Sequence, residues 1–211
     1  MVHPDACADL VFDESSRIYV FGVTSRTRAL DRALSASLCG LRLKAGALPF
    51  FFGVSALEFA NQVRSIADVP SPLARAMTSM AQQAENRAEL LRAVLNLLSR
   101  KCSAQTADAR LAFALFQTEW KPVGAVARAL GMSERHFDRL FLDQVGLSPS
   151  RFRRIRRLER VMDAMRRAPP DPAMASFALD HGFFDQAHMN HELKHLTGMT
   201  PVALHRSLIE R

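Results

Sequence analysis

The chain has 211 residues, of which 48% are hydrophobic and 23% are charged, so it is long enough for one or two domains with their own cores. No apolar run approaches the roughly 18 residues of a membrane span, and the acidic start MVHPDACADL is unlike a signal peptide, so we expect a cytoplasmic protein with no membrane partner. The net charge of +7 favours a polyanionic partner. Cys7, Cys39 and Cys102 are scattered, which predicts buried, reduced thiols rather than a disulfide framework or a zinc knuckle.

The first 63 residues predict a small sheet followed by a helix. Three short β-like runs, at 8–12, 17–23 and 38–44, are separated by Asp, Ser and Gly. The segment PFFFGVSALEFANQV, at 49–63, is predicted to be helical in its second half, from Ser55. Its three consecutive phenylalanines, at 50–52, either line an effector pocket or, as such runs more often do, pack into the core.

A long helical stretch follows Pro70 and Pro72 and is predicted to end near Lys101. It carries a broad apolar face formed by Leu90, Leu91, Val94, Leu95, Leu97 and Leu98. That face is interpreted as core packing, with a dimer seam as the alternative. The polar stretch KCSAQT, at 101–106, is the candidate boundary. It divides the chain into a strand-plus-helix domain at 1–101 and a helical domain at 106–208.

The second half of the chain is predicted to be all helical. The expected helices lie at 106–118, 123–130, 133–145, 149–167, 173–180, 185–197 and 201–208. The fold class is therefore mainly α, with a small N-terminal α+β part and a C-terminal bundle of about seven helices. Positive charge is concentrated in this half, because eight arginines and only two carboxylates lie between Ser150 and Arg167.

An internal repeat occupies this helical half. ALGMSERHFDRLFLDQVGLSPSRFRR corresponds to LDHGFFDQAHMNHELKHLTGMTPVALHR, with a constant offset of 52 residues from Ser133 and Asp185 onward. Ahead of that point the second copy has one extra residue in its turn. Each copy predicts a helix, a glycine turn, an N-cap, a second helix and then G-x-[ST]-P at the start of another helix.

This order of elements is typical of the helix-turn-helix unit, whose second helix enters the DNA major groove. The repeat therefore predicts two recognition helices, at 133–145 and 185–197, joined by the long helix from Pro149. Two such helices held rigidly can enter successive major grooves about 34 Å apart.

The stretch HELKHLTGMTP also matches the H-E-x-x-H pattern of zinc metalloproteases. The longer form of that pattern needs a third ligand where this chain has Pro201, and the only downstream glutamate is Glu210. The histidines are predicted to lie on the exposed side of the second recognition helix. We therefore expect no catalytic residue, no metal site, no cofactor and no enzyme activity.

The motifs LGMSERHFDRLF, GLSPSRFRRIRRLERV and GFFDQAHMNHELKHLTGMTP resemble the DNA-binding domain of AraC/XylS transcription regulators, from Val123 to Arg206. The N-terminal part, with PDACADLVFD and GLRLKAGALPFFFGVSALEFANQV, is similar to the shortened sensor domain of one branch of that family. Relatives usually carry more sequence before PDACADL, which implies an incomplete first domain. The resemblance implies a sequence-specific DNA-binding transcription regulator, monomer or homodimer, whose partners are double-stranded DNA, RNA polymerase and a small-molecule effector at the N-terminal domain.

Exposed positions early in each recognition helix are the candidate base contacts. Family members place base-contacting side chains at the positions of Arg135, Asp138 and Arg139 in the first helix. In the second helix the candidates are Gln186, Asn190 and His191. Arginine suits guanine, and Gln or Asn suits adenine. Alternatively, Asp138 forms an ion pair within its own helix, and Gln186 and Asn190 are solvated. The candidate phosphate contacts are Arg153, Arg156, His188 and Lys194.

The second recognition helix departs from the family pattern. His191 stands where relatives commonly have arginine, Ala187 where they have serine, and Met189 where they have an aromatic residue or leucine. Because His191 is shorter and mostly neutral at pH 7, the second unit should contribute less affinity than the first. The competing hypothesis is a basic module that binds nucleic acid or a partner non-specifically, although one Trp and one Tyr offer little of the stacking surface usual in RNA readers.

Overall fold

The computed structural model describes residues 2–27, 38–104, 114, 118, 120–167 and 173–209. Except for Ala114 and Thr118, the predicted helix at 106–118 lies outside the described residues. The strands are β1 (Ala8–Phe12), β2 (Ile18–Phe21), β3 (Cys39–Leu43) and β4 (Val63–Ser65). The first α-helices are α1 (Ala47–Phe52), α2 (Pro72–Gln83) and α3 (Arg87–Ala104). The later ones are α4 (Val123–Ala129), α5 (Glu134–Val145), α6 (Pro149–Arg167), α7 (Met174–Asp180), α8 (Gln186–Thr197) and α9 (Pro201–Ile209).

The strands form an antiparallel sheet in the order β3-β1-β2-β4. β1, β2 and β3 confirm the three predicted runs, whereas β4 was not predicted. Alternate residues of β1 and β2 point to one face, so Leu10, Phe12 and Val20 are buried against the helices. On the other face Asp9 pairs with both Phe21 and Arg42 in the register of the sheet.

The segment 49–63 differs from its prediction. α1 occupies its first half and stops at Gly53, whose φ of 69° suits a left-handed helix end. Ser55 then caps a short 3-10 helix, Ala56–Phe59, in which the Leu57 N–H donates to Ser55 Oγ at 3.3 Å. The helix predicted from Ser55 was therefore wrong in its length, because the 3-10 helix ends at Phe59 and the chain enters β4 at Val63. Phe51 and Phe52 are buried in the core, which favours the packing interpretation of that run.

α2 and α3 cover the sheet and complete this first core. Leu90, Val94 and Leu98 of α3 are buried within it, which favours core packing for this part of the predicted face, whereas Leu95 is exposed. α3 continues to Ala104, past its predicted end near Lys101. The Lys101 ammonium donates to the carbonyl oxygen of Phe51 at 2.7 Å, which ties α3 to the end of α1.

The C-terminal helices α4 to α9 confirm the predicted helices from 123 onward. They surround a second core whose central element is α6. The predicted stripe on α6 is buried as expected, at Phe152, Ile155, Leu158, Met162 and Met165. The fold class is thus mainly α with a small N-terminal sheet. In the described ranges no helix is both long and apolar enough to cross a membrane.

The sheet-containing part packs against the C-terminal helices. We call residues 2–27 and 38–104 the N-terminal part. Ala6 and Val23 of this part belong to the C-terminal core. Hydrogen bonds join the two parts at three places: from Ala6 N–H to Glu159 Oε1 (3.1 Å), from Ser55 Oγ to the Asp143 carbonyl (3.4 Å), and from both the N–H (3.1 Å) and Oγ1 (3.4 Å) of Thr27 to the Leu196 carbonyl. The N-terminal part therefore contacts α6 and the C-terminal ends of both α5 and α8.

Candidate nucleic-acid interface

Two helix-turn-helix units, α4–α5 and α7–α8, contain turns of the same construction. Gly131 and Gly182 adopt left-handed φ angles of 68° and 77° at equivalent places. The next residue, Met132 or Phe183, donates its N–H to a carbonyl five residues earlier, at 2.9 and 3.0 Å respectively. Met132 and Phe183 are therefore structural equivalents, and the extra residue of the second turn is Phe184.

The second helices of the two units, α5 and α8, which we predict to be the recognition helices, begin and end in the same way. Ser133 Oγ accepts from the His136 N–H at 3.3 Å, and Asp185 Oδ1 accepts from the His188 N–H at 2.7 Å. A left-handed glycine follows each helix, Gly146 after α5 and Gly198 after α8. The predicted ranges 133–145 and 185–197 thus correspond to the cap residue plus the twelve residues of each helix.

Each recognition helix has a buried inner face and an exposed outer face. Phe137, Phe141 and Val145 of α5, and Met189, Leu193 and Leu196 of α8, are buried in the C-terminal core. The six predicted base contacts are all exposed: Arg135, Asp138, Arg139, Gln186, Asn190 and His191. Each unit thereby presents three of them to solvent on the outer face of its recognition helix.

The outer face of α5 contains no ion pair of Asp138 with Arg135 or Arg139 among the described residues. Arg139 Nη2 instead lies 3.4 Å from His136 Nδ1. The structure therefore does not support the alternative in which Asp138 is occupied within its own helix. Its carboxylate is available to a partner outside the protein.

Glu192, on the inner side of α8, is a buried carboxylate held by two arginines of α6. Only 4% of Glu192 is exposed. Arg157 Nη2 donates to both of its carboxylate oxygens at 2.6 Å, and Arg154 Nε lies 3.2 Å from Oε2. Arg157 also donates to the Gly182 carbonyl at 3.0 Å and covers the Phe183 ring at 4.6 Å. This network fixes the second recognition helix and its turn on the connecting helix.

The same network accounts for the HELKH motif. The glutamate that would be the general base of a peptidase is paired inside the protein, whereas His191 and His195 are exposed. Within the described ranges no group of three His, Cys, Asp or Glu side chains is arranged to hold a metal ion. In this chain the glutamate of the motif therefore serves to attach α8 to α6 through ion pairs.

The four candidate phosphate contacts differ in their availability. Lys194 is exposed, and Arg153 is half-buried with Nη1 3.4 Å from the Lys121 carbonyl. Arg156 is paired with Glu159, one turn along α6. His188 accepts the Phe184 N–H on Nδ1 at 3.3 Å, and its Nε2 lies 3.8 Å from Glu192 Oε2. His188 and Arg156 therefore already have partners in the protein, and they could contact phosphate only in addition to these or in exchange for them.

The surface around the end of α8 is electropositive. Partial desolvation, followed by the positive guanidinium groups of Arg154, Arg26 and Arg151, lowers the pKa of His195. His195 is therefore mostly neutral near pH 7. The positive charge here comes from the arginines and Lys194 rather than from the histidine.

Residues 126–207 match the family described as "Helix-turn-helix domain", from within α4 to the last turns of α9. This segment is an AraC-type helix-turn-helix domain. The predicted resemblance is thereby confirmed for this segment. Residues 1–65 match the "Domain of unknown function (DUF6597)", which fits a sensor-like domain.

One solved structure that resembles this chain is a transcriptional regulator from Chromobacterium violaceum, described as containing an AraC-type DNA-binding domain. The two are 22% identical, and the match covers 47% of this chain and 91% of the other, with a TM-score of 0.41.

The sequence did not predict the ion pair of Glu192 with Arg157 or the exposure of Phe184. The position of Glu192 in the sequence did indicate a buried ion pair. Glu192 falls three residues after Met189 and one before Leu193, on the buried stripe of α8, where a carboxylate needs a positive partner. The arginine-rich α6 supplies that partner. Phe184 carried a weaker signal, as the extra residue of the second turn.

Proposed function

We propose that this protein is a sequence-specific DNA-binding transcription regulator that inserts α5 and α8 into successive major grooves of one duplex. The observation that carries the proposal is that both helices expose polar side chains that were predicted to contact bases. Three predicted base contacts stand on the outer face of each recognition helix, while the inner faces share one core. A single chain thus presents two surfaces that could contact the bases of DNA.

The packing of α6 supports the rigidity that this proposal needs. Its apolar stripe is buried along the whole helix, and Arg154 and Arg157 bind Glu192 of α8. A fixed connection between recognition helices is what allows one protein to select the spacing of two half-sites.

The charges of the interface support a polyanionic duplex as the partner. Arg135, Arg139 and Lys194 are exposed on the recognition helices, and Arg153 lies on the connecting helix. In the proposed complex, Arg135 and Arg139 bind guanine, Gln186 and Asn190 bind adenine, and Asp138 accepts from cytosine or orients an arginine. Arg153 and Lys194 contact phosphate.

The proposed function is tested by in vitro selection of genomic DNA fragments with the purified full-length protein at two salt concentrations. We expect a bipartite motif with half-sites about one helical turn apart that survives the higher salt. Sequence-independent binding that disappears with salt would contradict the proposal and support the alternative of a basic module.

Two double variants then assign the half-sites to the helices. Arg135→Ala with Arg139→Ala should relax the sequence preference in one half-site only. Gln186→Ala with Asn190→Ala should relax it in the other. Loss of preference in both half-sites from either pair would contradict the assignment of one recognition helix to each groove.

Cytoplasmic location, contact with RNA polymerase, a small-molecule effector in the N-terminal part and the monomeric or dimeric state stay predictions. So does the division of the chain into domains at 1–101 and 106–208. The presence of two cores supports that division, although Ala6 and Val23 of the first part belong to the second core.

A further inference from the structure

Phe184 is a large apolar side chain in an unusual place. It is 85% exposed, more than any other large hydrophobic residue in the part of the chain that the structure describes. It directly precedes Asp185, the N-cap of α8. The start of a recognition helix is the part that approaches base edges in helix-turn-helix complexes. The ring therefore lies at the same end of the helix as Gln186, a predicted base contact of the second half-site.

The repeat shows that Phe184 is an addition to the unit. In the first turn Met132 is followed at once by the N-cap Ser133, whereas in the second turn Phe184 lies between Phe183 and Asp185. Met132 and Phe183 both pack against the C-terminal core. Phe184 thus has no counterpart in the first unit, and the packing of the turn is already complete without it.

The backbone of this extra residue is held in place. The Phe184 N–H donates to His188 Nδ1 at 3.3 Å, and the His188 ring contacts Phe183 edge-on with centroids 5.5 Å apart. Asp185 caps the helix one residue later. These contacts hold the backbone on both sides of Phe184. The phenyl ring therefore projects into solvent from a fixed backbone position rather than from a free loop.

We propose that Phe184 is a specificity residue that reads thymine in the second half-site through contact of its ring with the C5-methyl group. Among the four bases, thymine alone presents an apolar group in the major groove. An exposed phenyl ring has no hydrogen bond to offer, so this methyl group is the base feature that it suits. The inference rests on the proposed function. It adds a preference for thymine that the polar base-contacting side chains do not provide.

The test uses the duplex selected by the wild-type protein, with each thymine of the second half-site replaced in turn by deoxyuridine, which lacks only the methyl group. Binding is measured by fluorescence anisotropy at fixed salt. For the wild type we expect one position at which the replacement weakens binding about fourfold. This is the change in affinity that corresponds to the burial of one methyl-sized group. Phe184→Ala should bind the thymine duplex at least that much more weakly and should not respond to the replacement.

Leu95→Ala is the matched control, because Leu95 is an exposed apolar residue on α3. It should bind like the wild type and keep its response to deoxyuridine. A wild-type protein indifferent to every replacement, or a Phe184→Ala variant that still responds, would overturn the thymine contact while leaving the proposed function intact. If the wild type selects no sequence at all, the proposed function fails first.

Discussion

Arg157 on α6 holds Glu192 on α8 through Nη2, which lies 2.6 Å from each carboxylate oxygen. The position equivalent to Glu192 in the first unit is Leu140, which is 38% exposed. The two units of the repeat are therefore attached to the connecting helix by different means. Apolar packing holds the first, and an ion-pair network adds to packing in the second.

Glu192→Gln should destabilise the protein by about 2 kcal/mol. Removing one partner of a buried ion pair costs about 3–5 kcal/mol. The loss is smaller here because the side chains of Arg154 and Arg157 are 35% and 21% exposed and can reach water. Chemical denaturation measures the difference. Glu58→Gln, at an exposed site, is the control. A Glu192→Gln variant as stable as this control would show that the network is dispensable.

Gly146→Ala should cost more stability than Gly198→Ala. These glycines end α5 and α8 at equivalent places with φ of 80° and 76°, so alanine has the same backbone strain of about 1–2 kcal/mol at each. At Gly146 a Cβ would also lie 2.8 Å from the Ala56 carbonyl oxygen and 2.9 Å from Val23 Cγ2, whereas at Gly198 it meets nothing within 4 Å. Unfolding free energies that fall equally in both variants would contradict this packing.

Arg139→Ala should weaken specific DNA binding by about 1–3 kcal/mol, and His191→Ala clearly less. The two residues occupy equivalent exposed positions in the two units, so they are matched. Arginine can form a bidentate pair with guanine, whereas histidine is shorter and lacks the guanidinium fork. Affinities are measured on a duplex that contains both half-sites. Equal losses would refute the asymmetry between the units.

Arg153→Ala should weaken binding to all sequences alike and reduce the slope of log affinity against log salt by about 0.9. A phosphate contact releases a counterion but carries no sequence information. The slope is obtained by titrating one specific and one unrelated duplex over a range of salt. Arg75→Ala, exposed on α2, should leave the slope unchanged. A variant that alters the preferred sequence would show that Arg153 reads bases instead.

Cys7 should be alkylated much more slowly than Cys102 at pH 8. Burial, followed by the nearby Asp5 carboxylate, raises the pKa of Cys7 to about 11. Because the thiolate is the reactive form, the Cys7 rate should rise only as the pH approaches that value. Cys102 is exposed. Mass spectrometry of iodoacetamide-treated peptides follows both sites. Rapid modification of Cys7 at pH 8 would contradict the raised pKa.

Much of the C-terminal half could be predicted because its signals are local. Ser133, Asp185, Gly146 and Gly198 mark the ends of the recognition helices in the sequence, and the structure places the ends there. The helix from Ser55 was wrong because a serine cap gives no information on helix length. The pairing of Glu192 with Arg157 joins residues 35 positions apart, so their contact depends on how α6 and α8 pack. The contact of Ser55 with Asp143 depends on tertiary packing in the same way.

The N-terminal part touches the C-terminal ends of both recognition helices and the helix that joins them. Under the proposed function, a molecule that binds the N-terminal part with different affinity in two arrangements of this contact would also change the affinity of the protein for DNA. Thermodynamic reciprocity then requires DNA to change the affinity for that molecule by the same factor. Under the proposed function, binding to a promoter would therefore change the effector concentration to which the protein responds.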